Sequence, residues 1–228
     1  MTRAPTRTHF HRARLIRVLA DLALLDTVEP GTAFAEKLGM WVSFTDAITL
    51  SAVHSTSPTG MPVGDNSGVR IDLTKAFARV QNGLVTSIGQ MPSELTAPDA
   101  DAIADLTFAY EPYRRHYLAQ QREIELRLRP LRGQVRAALG QSSARLRKLA
   151  ELDAALDGIL CERESKLLLK LSLLLEKRFK QLCKTQQAPD WLAGFCQDMQ
   201  TVLLAELDLR MQLILGLMEA CNQDTTRK

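Results

Sequence analysis

The sequence predicts an all-α protein: a small helical N-terminal unit followed by an elongated antiparallel three-helix bundle with coiled-coil character. Three observations carry that reading. Apolar residues recur at spacings of three and four along most of the chain, the period of a helix that buries one face. Twelve Gly and nine Pro in 228 residues are too few for a loop-rich sandwich of strands. Aromatic residues make up 5% of the chain, so the core is expected to be aliphatic and mainly leucine.

Taken in order, Leu15, Ile16, Leu19, Leu22 and Leu25 give a helix from Phe10 to Asp26, ended near Glu29-Pro30-Gly31. Thr32 would cap a second, short helix, and Thr45-Asp46 a third running to His54. Thr56 to Gly68 concentrates Pro, Gly, Ser and Asn and reads as an exposed loop. Leu73, Phe77, Val80, Leu84 and Ile88 then form one stripe of an amphipathic helix. Gly89 to Asp99, with Pro92 and Pro98, is the best linker. The expected organisation is therefore a helical unit over residues 1–89, a linker over 90–109, a bundle over 110–222 and a tail over 223–228.

Within the bundle, Tyr117, Ile124, Leu128, Leu131, Val135 and Leu139 keep near-heptad spacing on a helix expected from Pro112 to Gly140. Pro130 lies inside it, and an interior proline costs about 3 kcal/mol, which predicts a bend or a break one turn earlier. Ser143 would cap a second long helix reaching about Lys184, and Pro189 would open a third to about Cys221. The short connections make successive helices antiparallel neighbours.

Composition narrows the function classes. Hydrophobic residues at 46% and charged residues at 24% are globular values that exclude a disordered chain and an integral membrane protein. The longest strongly apolar stretches, such as Met211 to Met218, fall far short of the roughly 20 residues that cross a bilayer. Met1 to Arg17 carries five arginines and no acid, but Arg17 and Asp21 interrupt the apolar run that a signal peptide would need. A cytoplasmic location is expected. Cys161, Cys183, Cys196 and Cys221 include no C-x-x-C pair and read as reduced, packed thiols.

Charge is divided unevenly. Residues 18–109 hold four basic and eleven acidic side chains, and residues 114–148 hold ten basic and two acidic. Such segments either serve an anionic partner or neutralise each other in the fold, and the second is the favoured reading. Arg115, Arg122, Arg129 and Arg136 recur every seven residues, one stripe that is a candidate face for an anionic partner. No aromatics interleave with it after Tyr117, so base stacking is unsupported and nucleic acid is the least favoured occupant.

Seven of the nine residues from Leu167 to Leu175 are leucine, so this helix is apolar all round. Leu167, Leu171 and Leu174, with Leu203 and Leu207 on the last helix, are candidates for either core or interface. Glu206 and Arg210 stand four apart and are expected to pair as a structural ion pair. No Glu-x-x-His, zinc spacing, Gly-rich phosphate loop or G-x-S-x-G elbow occurs. The four histidines read as incidental, and no catalytic residue, cofactor or metal is expected.

Met-Thr-Arg-Ala-Pro-x-Arg-Thr at the start, Trp-Val-Ser-Phe-Thr-Asp-Ala-Ile at 41–48 and Pro-Leu-Arg-Gly at 130–133 are distinctive segments, as is the ending Trp-Leu-x-x-Phe-x-x-Asp-Met-Gln-x-Val-Leu-Leu-Ala-Glu-Leu-Asp-Leu-Arg at 191–210. In these the chain resembles a beta-proteobacterial family catalogued as domain of unknown function 3348. The resemblance covers most of the chain, with 56–105 variable, and transfers no catalytic residue. It implies a genetic neighbourhood with a TolQ- or MotA-like membrane protein and an OmpA- or MotB-like peptidoglycan-binding protein, hence an accessory to an envelope-spanning assembly.

The expected function is a non-enzymatic cytoplasmic adaptor or assembly factor acting through helix–helix protein contacts, with a protein partner and room for a homo-oligomer. The alternative is a binder of an anionic surface, nucleic acid or membrane, through the arginine face. A third reading, an enzyme, would require a deep pocket with convergent polar groups.

Overall fold

Residues 14–24, 41–56, 67–92, 106–185 and 191–225 are described in a computed structural model of the chain. The helix expected to be capped by Thr32, most of the loop at 56–68, most of the linker, Pro189 and residues 226–228 lie outside the described residues. The protein is all-α: no strand occurs among the described residues.

Helix α1 spans Arg14–Asp21 and is strongly amphipathic, burying Leu15 and Leu19. It stops five residues before the expected end. The Leu24 amide donates to the Leu19 carbonyl at 2.9 Å and the Ala23 amide to the Ala20 carbonyl at 2.9 Å, the paired bonds of a Schellman cap. Ala23 takes the left-handed position with φ 52°, a conformation that glycine adopts more cheaply.

Helix α2 spans Phe44–Ser55. Its cap is Ser43 rather than Thr45 or Asp46: the Asp46 amide donates to Ser43 Oγ at 3.2 Å, and the Ser43 amide donates back to Asp46 Oδ2 at 2.9 Å. This reciprocal capping box satisfies two otherwise orphaned donors. The Ser43 hydroxyl also donates to Asp46 Oδ2 at 2.7 Å, and this bond most of all, followed by the one from the Ser43 amide, holds the Asp46 carboxyl below its ordinary pKa. No residue of α2 is buried, and the Lys148 ammonium donates to the Val53 and Thr56 carbonyls at its C-terminal end.

Helix α3 spans Ser67–Gly89 and buries Leu73, Phe77, Leu84 and Ile88, the stripe that its spacing predicts. Helix α4 spans Leu106–Gly140. It begins six residues before Pro112 and continues unbroken through Pro130, so the expected break is absent. Pro130 is exposed, and so is Leu126, whose carbonyl would have met the missing amide of residue 130. Water reaches that face, while Leu128 and Leu131 are buried on the opposite one, so packing and solvent together tolerate the lost bond.

The second long helix is two helices. Helix α5 spans Ala144–Leu169 and α6 spans Leu171–Thr185, with a turn at Lys170. Ser143 caps α5 as expected, accepting from the Leu146 amide at 3.3 Å. At the turn, Ser172 Oγ donates to the Leu169 carbonyl at 2.8 Å, and the Tyr110 hydroxyl donates to the Ser172 carbonyl at 2.8 Å. Both side chains compete for backbone acceptors that a continuous helix would use internally. Helix α7 spans Trp191–Thr225.

The chain folds as two compact units, each assembled from three separated stretches. The first comprises Met1–Val28, Leu84–Ile124 and Leu169–Arg210. Its core holds Leu15, Leu19, Leu84, Ile88, Leu171, Leu175, Val202 and Leu203. It also holds an aromatic cluster that the composition did not foretell. Tyr110, Tyr113, Phe179, Phe195 and Trp191 pack with ring centroids 5.1 to 6.2 Å apart, mostly edge to face, the arrangement favoured by ring quadrupoles. Burial pushes the Tyr113 hydroxyl up to about 12 and raises that of Tyr110 further.

The second unit comprises Glu29–Gly83, Glu125–Leu168 and Met211–Lys228. Leu73, Phe77, Leu128, Leu131, Val135, Leu139, Leu146, Met211, Ile214 and Leu217 are buried in it. Only Leu146, Ala150 and Leu168 are buried on α5, so seventeen consecutive residues of this helix, 151–167, carry no fully enclosed side chain.

Candidate functional site

The first cluster of charged and polar groups lies in the core of the first unit. Glu206 is 0% exposed. Arg210 donates to its Oε1 through Nε at 3.0 Å and Nη2 at 2.8 Å, the i,i+4 pairing that the sequence predicts. Two further donors come from α4: the Tyr117 hydroxyl at 3.1 Å and Gln121 Nε2 at 2.7 Å, both to Oε2. Burial, and then the charge and hydrogen bond of Glu206, raise the Tyr117 hydroxyl well above its ordinary pKa, so it remains a donor. With both carboxylate oxygens occupied, Glu206 has no lone pair aimed at open space, and the cluster acts as a structural anion site. Asp208, in the same run, is engaged by Arg14 of α1.

The arginine stripe divides along its length. Arg115 and Arg122 are exposed, and neither has an ion-pair partner among the described residues. Arg129 is exposed and pairs with Glu125 one turn back. Arg136 is half-buried and enters a network with Arg132, Asp153 and Asp157 in the second unit. Arg132 forks onto Asp153 through Nε–Oδ2 at 2.9 Å and Nη2–Oδ1 at 2.6 Å, and reaches Asp157 at 2.7 Å. Arg136 meets Asp153 at 2.6 Å and Asp157 at 2.8 Å. Among the described residues, the anions that meet Arg132 and Arg136 come from α5. Burial works to raise the Asp153 carboxyl, but the bonds and charges of Arg132 and Arg136 outweigh it and hold the group below the usual carboxylate range.

The leucine candidates also divide. Leu171, Leu203 and Leu207 are buried and Leu174 is half-buried. Leu167, Leu169 and Leu173 are 43%, 50% and 53% exposed. The run that is apolar all round in sequence is thus covered on one side only. Leu169 and Leu173, in the first unit, flank the turn at Lys170, and Lys170 and Lys177 are exposed as well.

Among the histidines, His9 and His11 lie outside the described residues, and His54 is exposed in the last turn of α2. His116 is half-buried, its Nε2 lacks a hydrogen-bond partner, and desolvation lowers its pKa. Among the described residues no three His, Cys, Asp or Glu side chains gather as a metal-ligand set, and no helix is long and apolar enough to cross a membrane.

The partners that sequence reasoning missed are Tyr117 and Gln121 for Glu206, and Asp153 and Asp157 for the arginines. The second pair carried a signal: Arg132 and Arg136, like Asp153 and Asp157, are spaced by four on helices joined by a short loop. The first carried none, because the contact joins α4 to α7 across 85 residues of chain.

No curated protein and no solved structure matches the chain. The family model described as protein of unknown function (DUF3348) matches residues 1–223. That match spans both units and every distinctive segment quoted above, and the chain belongs to this family.

Proposed function

We propose that the protein is a non-enzymatic adaptor or assembly factor that works by helix-on-helix contact with another protein. The observation that supports this is the outward half of the leucine run: Leu169 at the end of α5 and Leu173 on α6 remain about half exposed on either side of the turn at Lys170, with exposed Lys170 and Lys177 in the same stretch. Large apolar side chains grouped on a surface cost free energy in water and mark contact sites. The two lysines suit an amphipathic partner helix with acidic flanks. The gene neighbourhood implied by the family resemblance suggests an envelope-spanning assembly as the setting.

The test is a photo-crosslinking amino acid at position 173 in the native host. A discrete adduct with one protein is expected, lost in the Leu169→Glu, Leu173→Glu background while the thermal melt is unchanged. The same yield from a crosslinker at the exposed Gln181 would overturn the reading.

A second reading rests on Arg115 and Arg122, which no described anion neutralises. If these two hold a nucleic acid or an anionic membrane, binding should fall steeply with salt as counterions are released. Salt-insensitive binding, or none, removes that reading.

A further inference from the structure

A concavity of about 490 Å³ opens in the second unit, lined by the start of α5 and the end of α7. Leu146, Leu149 and Leu152 of α5 give it an apolar surface, and Arg145 of α5 with Gln223 and Asp224 of α7 give it polar groups. Lys148 also lines it, but the carbonyls of Val53 and Thr56 on α2 engage that ammonium. Arg145 and Asp224 are therefore its two open charges. Neither side chain has a hydrogen-bond or ion-pair partner among the described residues, and no ion pair joins one to the other. Each also stands against the dipole of its own helix. Arg145 puts a cation into the first turn of α5, which holds no acid, and Asp224 an anion into the last turn of α7, which holds no base. A cation at the amide end of a helix and an anion at the carbonyl end oppose the fields there. Both charges are unfavourable for their own helices, yet both line one hollow.

We infer that this concavity is a binding site for a short apolar peptide with free termini. The peptide carboxylate meets the Arg145 guanidinium, whose fork suits a carboxylate in two parallel bonds. The peptide ammonium meets the Asp224 carboxylate, and the Gln223 amide serves the peptide group between them. Apolar side chains of the peptide lie over the half-buried Leu149 and Leu152 and the enclosed Leu146. The volume falls within the range of small-ligand sites. Arg145 and Asp224 belong to different helices and form no pair, so a ligand that meets both holds its own charges apart. A free amino acid carries both on one carbon. Two or three extended residues set them roughly 7 to 11 Å apart, with the apolar body in between. The inference goes beyond the helix contact proposed above and does not depend on it.

Titration calorimetry of the full chain with the tripeptide Ala-Leu-Ala is the test. Binding is expected, and blocking either terminus of the peptide, by C-amide or by N-acetyl, should weaken it by on the order of tenfold, the loss of one charge-assisted bond. Arg145→Gln should weaken the free tripeptide to the same extent and leave the C-amide form no weaker than before. Asp224→Asn should stand in the same relation to the N-acetyl form. Neither substitution should lower the melting temperature, because each removes a charge set against its helix. Absence of binding at millimolar tripeptide overturns the inference. So does binding indifferent to the two substitutions, since the peptide would then sit elsewhere. Free leucine bound as tightly as the tripeptide overturns it as well, because one carbon cannot span the two charges. The crosslinking test at position 173 reads a face of the first unit, so either result leaves that reading to be decided on its own.

Discussion

Gln121 of α4 donates its side-chain amide to the carboxylate of Glu206 of α7 at 2.7 Å, in a core that water does not reach. Tyr117, one turn earlier on α4, donates to the same oxygen. The two helices can pair in one register only, because a slip of one turn would strand a buried charge. Removing the carboxylate alone should therefore be severe. Glu206→Ala leaves the Arg210 guanidinium, the Gln121 amide and the Tyr117 hydroxyl without their acceptor, at a cost of about 3 to 5 kcal/mol. The double change Glu206→Met, Arg210→Met should recover much of that loss in urea unfolding. A double variant no better than Glu206→Ala would contradict this account.

The Asp153 network predicts acid sensitivity with a definite sign. Its folded pKa lies below the unfolded value of about 4, so its contribution is complete above that pH and fades as pH falls through the lower, folded pKa. At neutral pH, Asp153→Asn should cost about 2 kcal/mol, less than a fully enclosed pair because the network is partly wet. Between neutral pH and acid the wild type should lose more stability than Asp153→Asn. Equal losses in melts recorded across that range would show that the network contributes no linkage.

The division of the leucine run can be read by truncation. Leu203 is enclosed, so Leu203→Ala should cost about 2 to 5 kcal/mol. Leu173→Ala, on the outward side, should cost under about 0.5 kcal/mol. Similar effects for the two in denaturant titrations would mean that the run is enclosed on both sides.

Ala23 occupies a left-handed position that its Cβ disfavours. Ala23→Gly keeps the two cap bonds and relieves that contact, so it should raise stability by about 0.5 to 1 kcal/mol. Circular dichroism melts will show whether the melting temperature rises, and a fall would argue against the Schellman cap at the end of α1.

Periodicity alone located the buried faces of α3 and α4, because the burial of Leu73, Phe77, Leu84 and Ile88, and of Tyr117, Ile124, Leu128, Leu131, Val135 and Leu139, depends only on spacing. Local breaker rules fared less well. Pro130 was over-weighted because its cost depends on whether solvent reaches the freed carbonyl, which is a property of the packed molecule. The turn at Lys170 was invisible for the opposite reason: no Gly or Pro marks it, and the Tyr110 hydroxyl that bonds beside it comes from 62 residues away. The Glu206–Arg210 pair was legible as a local i,i+4 match, whereas Tyr117 and Gln121 read only as residues on the buried side of their own helix.

Neither unit is contiguous along the chain, and this governs its synthesis. The first unit closes only when residues as far as Arg210 are present, and the second waits for Met211–Lys228. The ribosome must therefore deliver nearly the whole chain before either core is complete. Throughout that interval the apolar stripe of α4 faces water without its cover, as a ready client for chaperones. A stop codon before residue 210 removes wall from both units at once, so truncation products should be cleared by proteolysis rather than persist as half-molecules.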